Sequence, residues 1–141
     1  MSNTPPLSKA SKIQKMGEVD GFTVSRARDG GFEGGGLRQK FEYRDLGIAA
    51  ATDGRFHAQV IRIGGAGQQL AAEHWHTLNF QLVYILQGWI AFDYEGVGEV
   101  RLEAGDCVNQ PPGIHHAVLG HSDNLELLEV TSPADFATDE I

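Results

Sequence analysis

From Lys40 onward, apolar and polar residues alternate in short runs, and glycine or proline closes each run. In 55–63, Phe56, Ala58 and Val60 alternate with His57, Gln59 and Ile61, between Gly54 and the pair Gly64 and Gly65. A period of two is the pattern of a strand with one buried face. The run 80–86 is apolar on both faces, Gly88 closes it, and 89–94 follows at once. That spacing predicts a hairpin over 80–94 that turns near Gln87 and Gly88. Further strands are predicted over 40–50, 99–103, 107–110, 114–119 and 125–131, with turns at Glu95–Gly98, Gly105–Asp106 and Pro111–Pro112–Gly113. The only helical expectation is a single turn at 134–138. Many short strands between turn signals argue for a β-sandwich or barrel.

Before Lys40 the pattern is different. Residues 1–17 carry Pro5–Pro6 and little apolar surface, which predicts a flexible tail. We place the boundary as a tail over 1–20 and a single domain over 21–141. Gly30, Gly31 and Gly34 to Gly36 read as a loop. A phosphate cradle would need a strand before these glycines and a helix after them, and neither is evident.

Composition narrows the function. A chain of 141 residues fits one domain with a core of its own. A net charge of −8 argues against nucleic-acid partners and against adhesion to an anionic membrane. No run approaches a spanning helix, and 1–17 has no apolar segment of the secretory kind. The single cysteine, Cys107, cannot form an internal disulfide, so a reducing, cytoplasmic setting is expected. Cys107 itself is expected as a small buried core residue.

The candidate chemistry lies in the histidines. His74 and His76 are two apart in a strand-like segment, so both imidazoles project to one face while Trp75 projects to the other. Two neutral imidazoles can grip a divalent transition ion, and a solvent-exposed pair would show the same spacing. His57 is expected either as an acid or base at a barrel mouth or as a hydrogen-bonded wall residue. His121 is expected in a solvated loop.

The surroundings of His74 and His76 resemble the cupin superfamily. Its first motif is His-x-His, three or four residues, Glu, six residues, Gly. Here His74 and His76 are followed by Gln81 in the Glu place and by Gly88, with Gly67 upstream. The second motif is Gly, five residues, Pro-x-Gly-x-x-His, three residues, Asn. Gly105, Pro111, Gly113 and His116 match it, and Gly120 stands in the Asn place. The motifs span 67–120. The resemblance implies an all-β, double-stranded β-helix (jelly-roll) barrel in which His74, His76 and His116 share one ion (Fe, Zn, Ni, Mn or Cu). The motif spacing selects His116, although the bend at Gly113 leaves His115 open as the alternative.

Gln81 departs from the motif. A glutamine is neutral and offers a carbonyl oxygen or an NH2 donor. It either ligates the ion or orients a bound water. Without the usual carboxylate, the ion's charge stays uncompensated, which favours an anionic ligand. If Gln81 faces inward, Val83 and Ile85 do too, and with His57 they are the expected pocket lining. Leu82, Tyr84 and Leu86 then face outward, as does Trp75. So apolar an outer row is expected under a second subunit, giving a homodimer, or under N-terminal strands. The functional expectation is a metal-dependent dioxygenase-type enzyme acting on a small anionic oxygenated molecule. The alternatives are a ligand-binding or sensor module, or an oxygen-independent isomerase or lyase.

Overall fold

A computed structural model describes residues 14–15, 19–34, 41–64, 74–135 and 137–140. The strands are β1 (Gln14–Lys15), β2 (Thr23–Val24), β3 (Glu33–Gly34), β4 (Phe41–Asp45), β5 (His57–Ile63), β6 (His74–Thr77), β7 (Phe80–Gln87), β8 (Trp89–Tyr94), β9 (Gly98–Glu103), β10 (Cys107–Asn109), β11 (His116–His121), β12 (Glu126–Ser132) and β13 (Ala137–Glu140). One helix, α1 (Ile48–Ala51), precedes β5. Two antiparallel sheets face each other, in the orders β10-β7-β12-β5-β4-β3 and β13-β6-β11-β8-β9, and β1 pairs with β2 apart from both. This is the all-β jelly-roll architecture. Among the described residues, no helix is long and apolar enough to cross a membrane.

Strand parity sorts the side chains. In β7, Gln81, Val83 and Ile85 are buried, whereas Phe80, Tyr84 and Leu86 are exposed. Across β12, Thr131 lies opposite Gln81, Glu129 opposite Val83 and Leu127 opposite Ile85. Across β5, the same three residues of β12 lie opposite His57, Gln59 and Ile61. These rows form the inner face of the larger sheet. Val83, Ile85, Ile90, Phe92, Tyr94, Leu102, Val118, Leu125 and Leu127 make the core between the sheets.

Several expectations need correction. The predicted hairpin over 80–94 does not form: β7 pairs with β10 and β12, and β8 with β9 and β11, in the other sheet. Gly88 makes a corner between sheets. Its φ is +79°, and a Cβ added there would lie 2.2 Å from Ser122 Oγ and 3.1 Å from the Leu125 Cα, so only glycine fits. The helical turn expected at 134–138 is replaced from Ala137 by β13, which pairs with β6. The strand expected over 40–50 stops at Asp45. There Asp45 Oδ1 accepts from the Gly47 amide at 2.8 Å, and Gly47, at φ +84°, turns the chain into α1. Two residues of the expected tail, Gln14 and Lys15, pair with β2, and the rest of 1–18 lies outside the described residues.

Candidate metal and ligand site

A cavity of about 80 Å³ opens between the two sheets. Its walls are largely apolar: Phe41, Ile61, Val83, Ile90, Phe92, Val118 and Leu127. Four polar side chains break that lining, namely Gln81, Gln110, His116 and Glu129, and Tyr43 adds its ring. An apolar pocket with a few convergent polar groups is the usual form of a small-molecule site.

His116 enters from β11, at 4% exposure. Pro111 to Gly113 turn the chain, and the Ile114 amide donates back to the Pro111 carbonyl at 3.2 Å. His116 Nδ1 then lies 3.1 Å from the Ile114 carbonyl. A carbonyl only accepts, so Nδ1 carries a proton there, the same second contact that holds the ring of a metal-ligating histidine. The Phe92 ring stands edge-on to the imidazole, with centroids 6.1 Å apart, and that of Tyr94 lies at 5.6 Å. His115 is half-buried outside the cavity lining, and its backbone amide and carbonyl both bond to Glu95.

The larger sheet supplies the rest. Gln81 is 3% exposed, and its Nε2 donates to Glu129 Oε2 at 2.7 Å. Gln59 Nε2 donates to Glu129 Oε1 at 2.9 Å. Each carboxylate oxygen is thus held by one amide. At the other end, the Tyr94 hydroxyl donates to Gln110 Oε1. Burial pushes the Tyr94 phenol far above its ordinary value, so it stays a donor.

The remaining expected residues are placed as follows. His74 is the Cα partner of His116 across β6 and β11, and His76 follows two positions on in β6. The side chains of His74, Trp75 and His76 lie outside the described residues, as does Gly67. Val83 lines the cavity. Ile85 faces inward but is wholly buried in the core and is not among the lining residues. His57 is not among them either. It sits one row beyond Gln59, and its Nδ1 and the Thr131 Oγ1 opposite are buried without a hydrogen-bond partner. His121 is not in a loop: it ends β11 half-buried, with Nδ1 2.9 Å from the Ser122 carbonyl and its ring 5.9 Å from that of Phe41. Cys107 is exposed, not buried, because β10 is an edge strand and position 107 faces outward beside Tyr84.

Three polar residues of the site were not anticipated. Glu129 carried a signal, since it shares strand parity with the apolar Leu127 and so belongs to the inner face. Gln59 shared the parity of His57. Gln110, directly before the prolines, offered none.

The cupin domain family model matches residues 63–131, a span that takes in β6 to β11, all but the last residue of β12, and Gln81, Gln110, His116 and Glu129 of the cavity. The chain carries a cupin domain. Solved structures share the cupin fold. KdgF from Halomonas sp. superposes with a TM-score of 0.63 at 16% identity, over 78% of this chain and 92% of that one. The polyketide cyclase RemF from Streptomyces resistomycificus gives 0.59 at 19% identity, over 73% and 72%. Oxalate decarboxylase from Bacillus subtilis, described with Mn(II) centres, gives 0.60 at 14% identity, over 77% of this chain and 30% of that one. No curated protein sequence matches the chain.

The donors of this cupin cavity suit a divalent ion. His116, held through Nδ1, brings an imidazole ring to the cavity wall. With its NH2 turned to Glu129, Gln81 has Oε1 to offer, a hard oxygen donor. Among the described residues, no three His, Cys, Asp or Glu side chains form a cage.

Proposed function

We propose that this cupin is a metal-dependent enzyme that acts on a small, anionic, oxygenated molecule. One divalent transition ion (Fe, Zn, Ni, Mn or Cu) would be held by His74, His76, Gln81 and His116. The observation that carries the reading is the His116 ring, buried with its Nδ1 proton committed to a carbonyl, in the same cavity as Gln81. The register of His74 opposite His116 supports it, as do the Mn(II) centres of oxalate decarboxylase. The ion would supply Lewis acidity, polarising a ligand oxygen. Tyr94 orients Gln110 through Oε1, which leaves the Gln110 NH2 to donate to another ligand oxygen. A single carboxylate, Glu129, against a doubly charged cation leaves the cavity net positive, which favours an anion.

Two reaction classes fit this setting: the dioxygenase expected from the sequence, and an oxygen-independent isomerase or lyase. Glu129 favours the second, because a carboxylate in the cavity restores the proton-accepting group that Gln81 lacks. The cyclase and decarboxylase among the similar structures are also named for reactions other than oxygen insertion. Elemental analysis should find one transition ion per chain. Turnover across a panel of small oxyacids, diketones and phenols should be the same in air and under argon. Turnover that stops under argon would assign the dioxygenase, and a metal-free, inactive protein would overturn the reading as a whole.

The working form we propose is a cytoplasmic homodimer. Phe80, Tyr84 and Leu86 form an exposed outer row on β7, with the half-buried Leu128 and Val130 beside it on β12. Light scattering should give twice the chain mass for the natural protein. Tyr84→Asp should give the single mass, because burying an unpaired carboxylate costs several kcal/mol. A monomeric natural protein would end this part of the reading.

A further inference from the structure

We infer that Glu129 is a positioning residue for the ion: it fixes which atom Gln81 offers, and it carries the negative charge that Gln81 lacks. The inference rests on the metal reading above and adds to it a residue that neither motif contains. A carboxylate can only accept, so the contact at 2.7 Å fixes the Gln81 amide with its NH2 toward Glu129. Gln81 Oε1 is then the atom left for a cation. Glu129 reaches Gln81 diagonally, since its direct partner on β7 is Val83. It is kept from swinging away by Gln59, its direct partner on β5, which holds the other oxygen. In effect, the carboxylate usual at the place of Gln81 stands one strand over, joined to it by a charge-assisted hydrogen bond. An outer partner of this kind sets the orientation and donor strength of the group that meets the ion.

An exchange of the two side chains tests this. Zn2+ affinity, by chelator competition, and the Tm of the chelator-stripped protein would be measured for the natural protein, Glu129→Gln, Gln81→Glu and the double exchange. Glu129→Gln should lower Zn2+ affinity about 10- to 100-fold, the usual loss for an outer partner, with little change in the Tm of the stripped protein. Gln81→Glu alone sets two carboxylates in contact and should lower that Tm. The double exchange rebuilds the amide–carboxylate bond with the charge at position 81. It should recover both the Tm and a Zn2+ affinity at least equal to the natural one. Natural Zn2+ affinity in Glu129→Gln overturns the inference and leaves the metal reading intact. An affinity loss matched by an equal loss of Tm reduces Glu129 to a structural role and overturns it too. A natural protein that binds no Zn2+ overturns both.

Discussion

Replacing His116 by alanine is expected to strip the protein of stoichiometric metal. Loss of an outer partner costs about 10- to 100-fold in metal affinity. Removing the imidazole from the proposed ligand set, whose fourth member is a neutral amide, should cost more. The His116 ring is buried and its Nδ1 proton is bonded to the Ile114 carbonyl, so no solvent-exposed rotamer competes with the inward one. His121→Ala is the matched control: it lies on the same strand, bonds to the Ser122 carbonyl and is absent from the cavity lining. Elemental analysis of both variants after dialysis should show an empty His116→Ala and a loaded His121→Ala. Equal metal in the two would mean that the ion, if present, sits elsewhere.

The second large effect is on stability. Ile85 is completely buried on the inner face of β7, two positions along from Val83 and opposite Leu127 of β12. Ile85→Ala removes three methyl or methylene carbons from a packed core and leaves a cavity, a change that costs about 2–5 kcal/mol. In a domain of this size the Tm should fall by about 10 °C. Leu119→Ala, at a position 45% exposed, should stay within about 0.5 kcal/mol of the natural protein. Calorimetry of the two variants checks both values. A small shift for Ile85→Ala would mean that the sheets can close over the gap.

The strands were legible because alternation is set by burial, and burial follows the pleat. β5, β7, β8, β9 and β12 fall where the apolar positions put them. What could not be read was the partner of each strand. Gly88 marks a sharp change of direction equally well in a hairpin and at a corner between sheets, and only the crowding by Ser122 and Leu125 decides for the corner. Cys107 was misplaced for a related reason: a short strand at a sheet edge has the pleat of a central one but lacks its cover. His116 was singled out by motif spacing, and the structure places it in the cavity lining. Glu129 escaped notice because the contact that gives it meaning links residues 48 positions apart.

The corner at Gly88 also bears on how the molecule folds. β8 pairs at once with its neighbour β9, but because β7 turns away from β8, the full flanking of each strand needs a partner distant along the chain: β12 for β7, and β11 for β8. The amide clamp on Glu129 spans 48 positions to Gln81 and 70 to Gln59. Closing such loops costs chain entropy before any contact repays it, and folds dominated by distant pairings form in about milliseconds to seconds. β12 lies between β7 and β5 and completes the larger sheet. Until it docks, the cavity has no floor, and Gln81 and Gln59 have no carboxylate to share. Slow insertion of this strand would therefore delay the appearance of binding capacity more than the appearance of sheet structure.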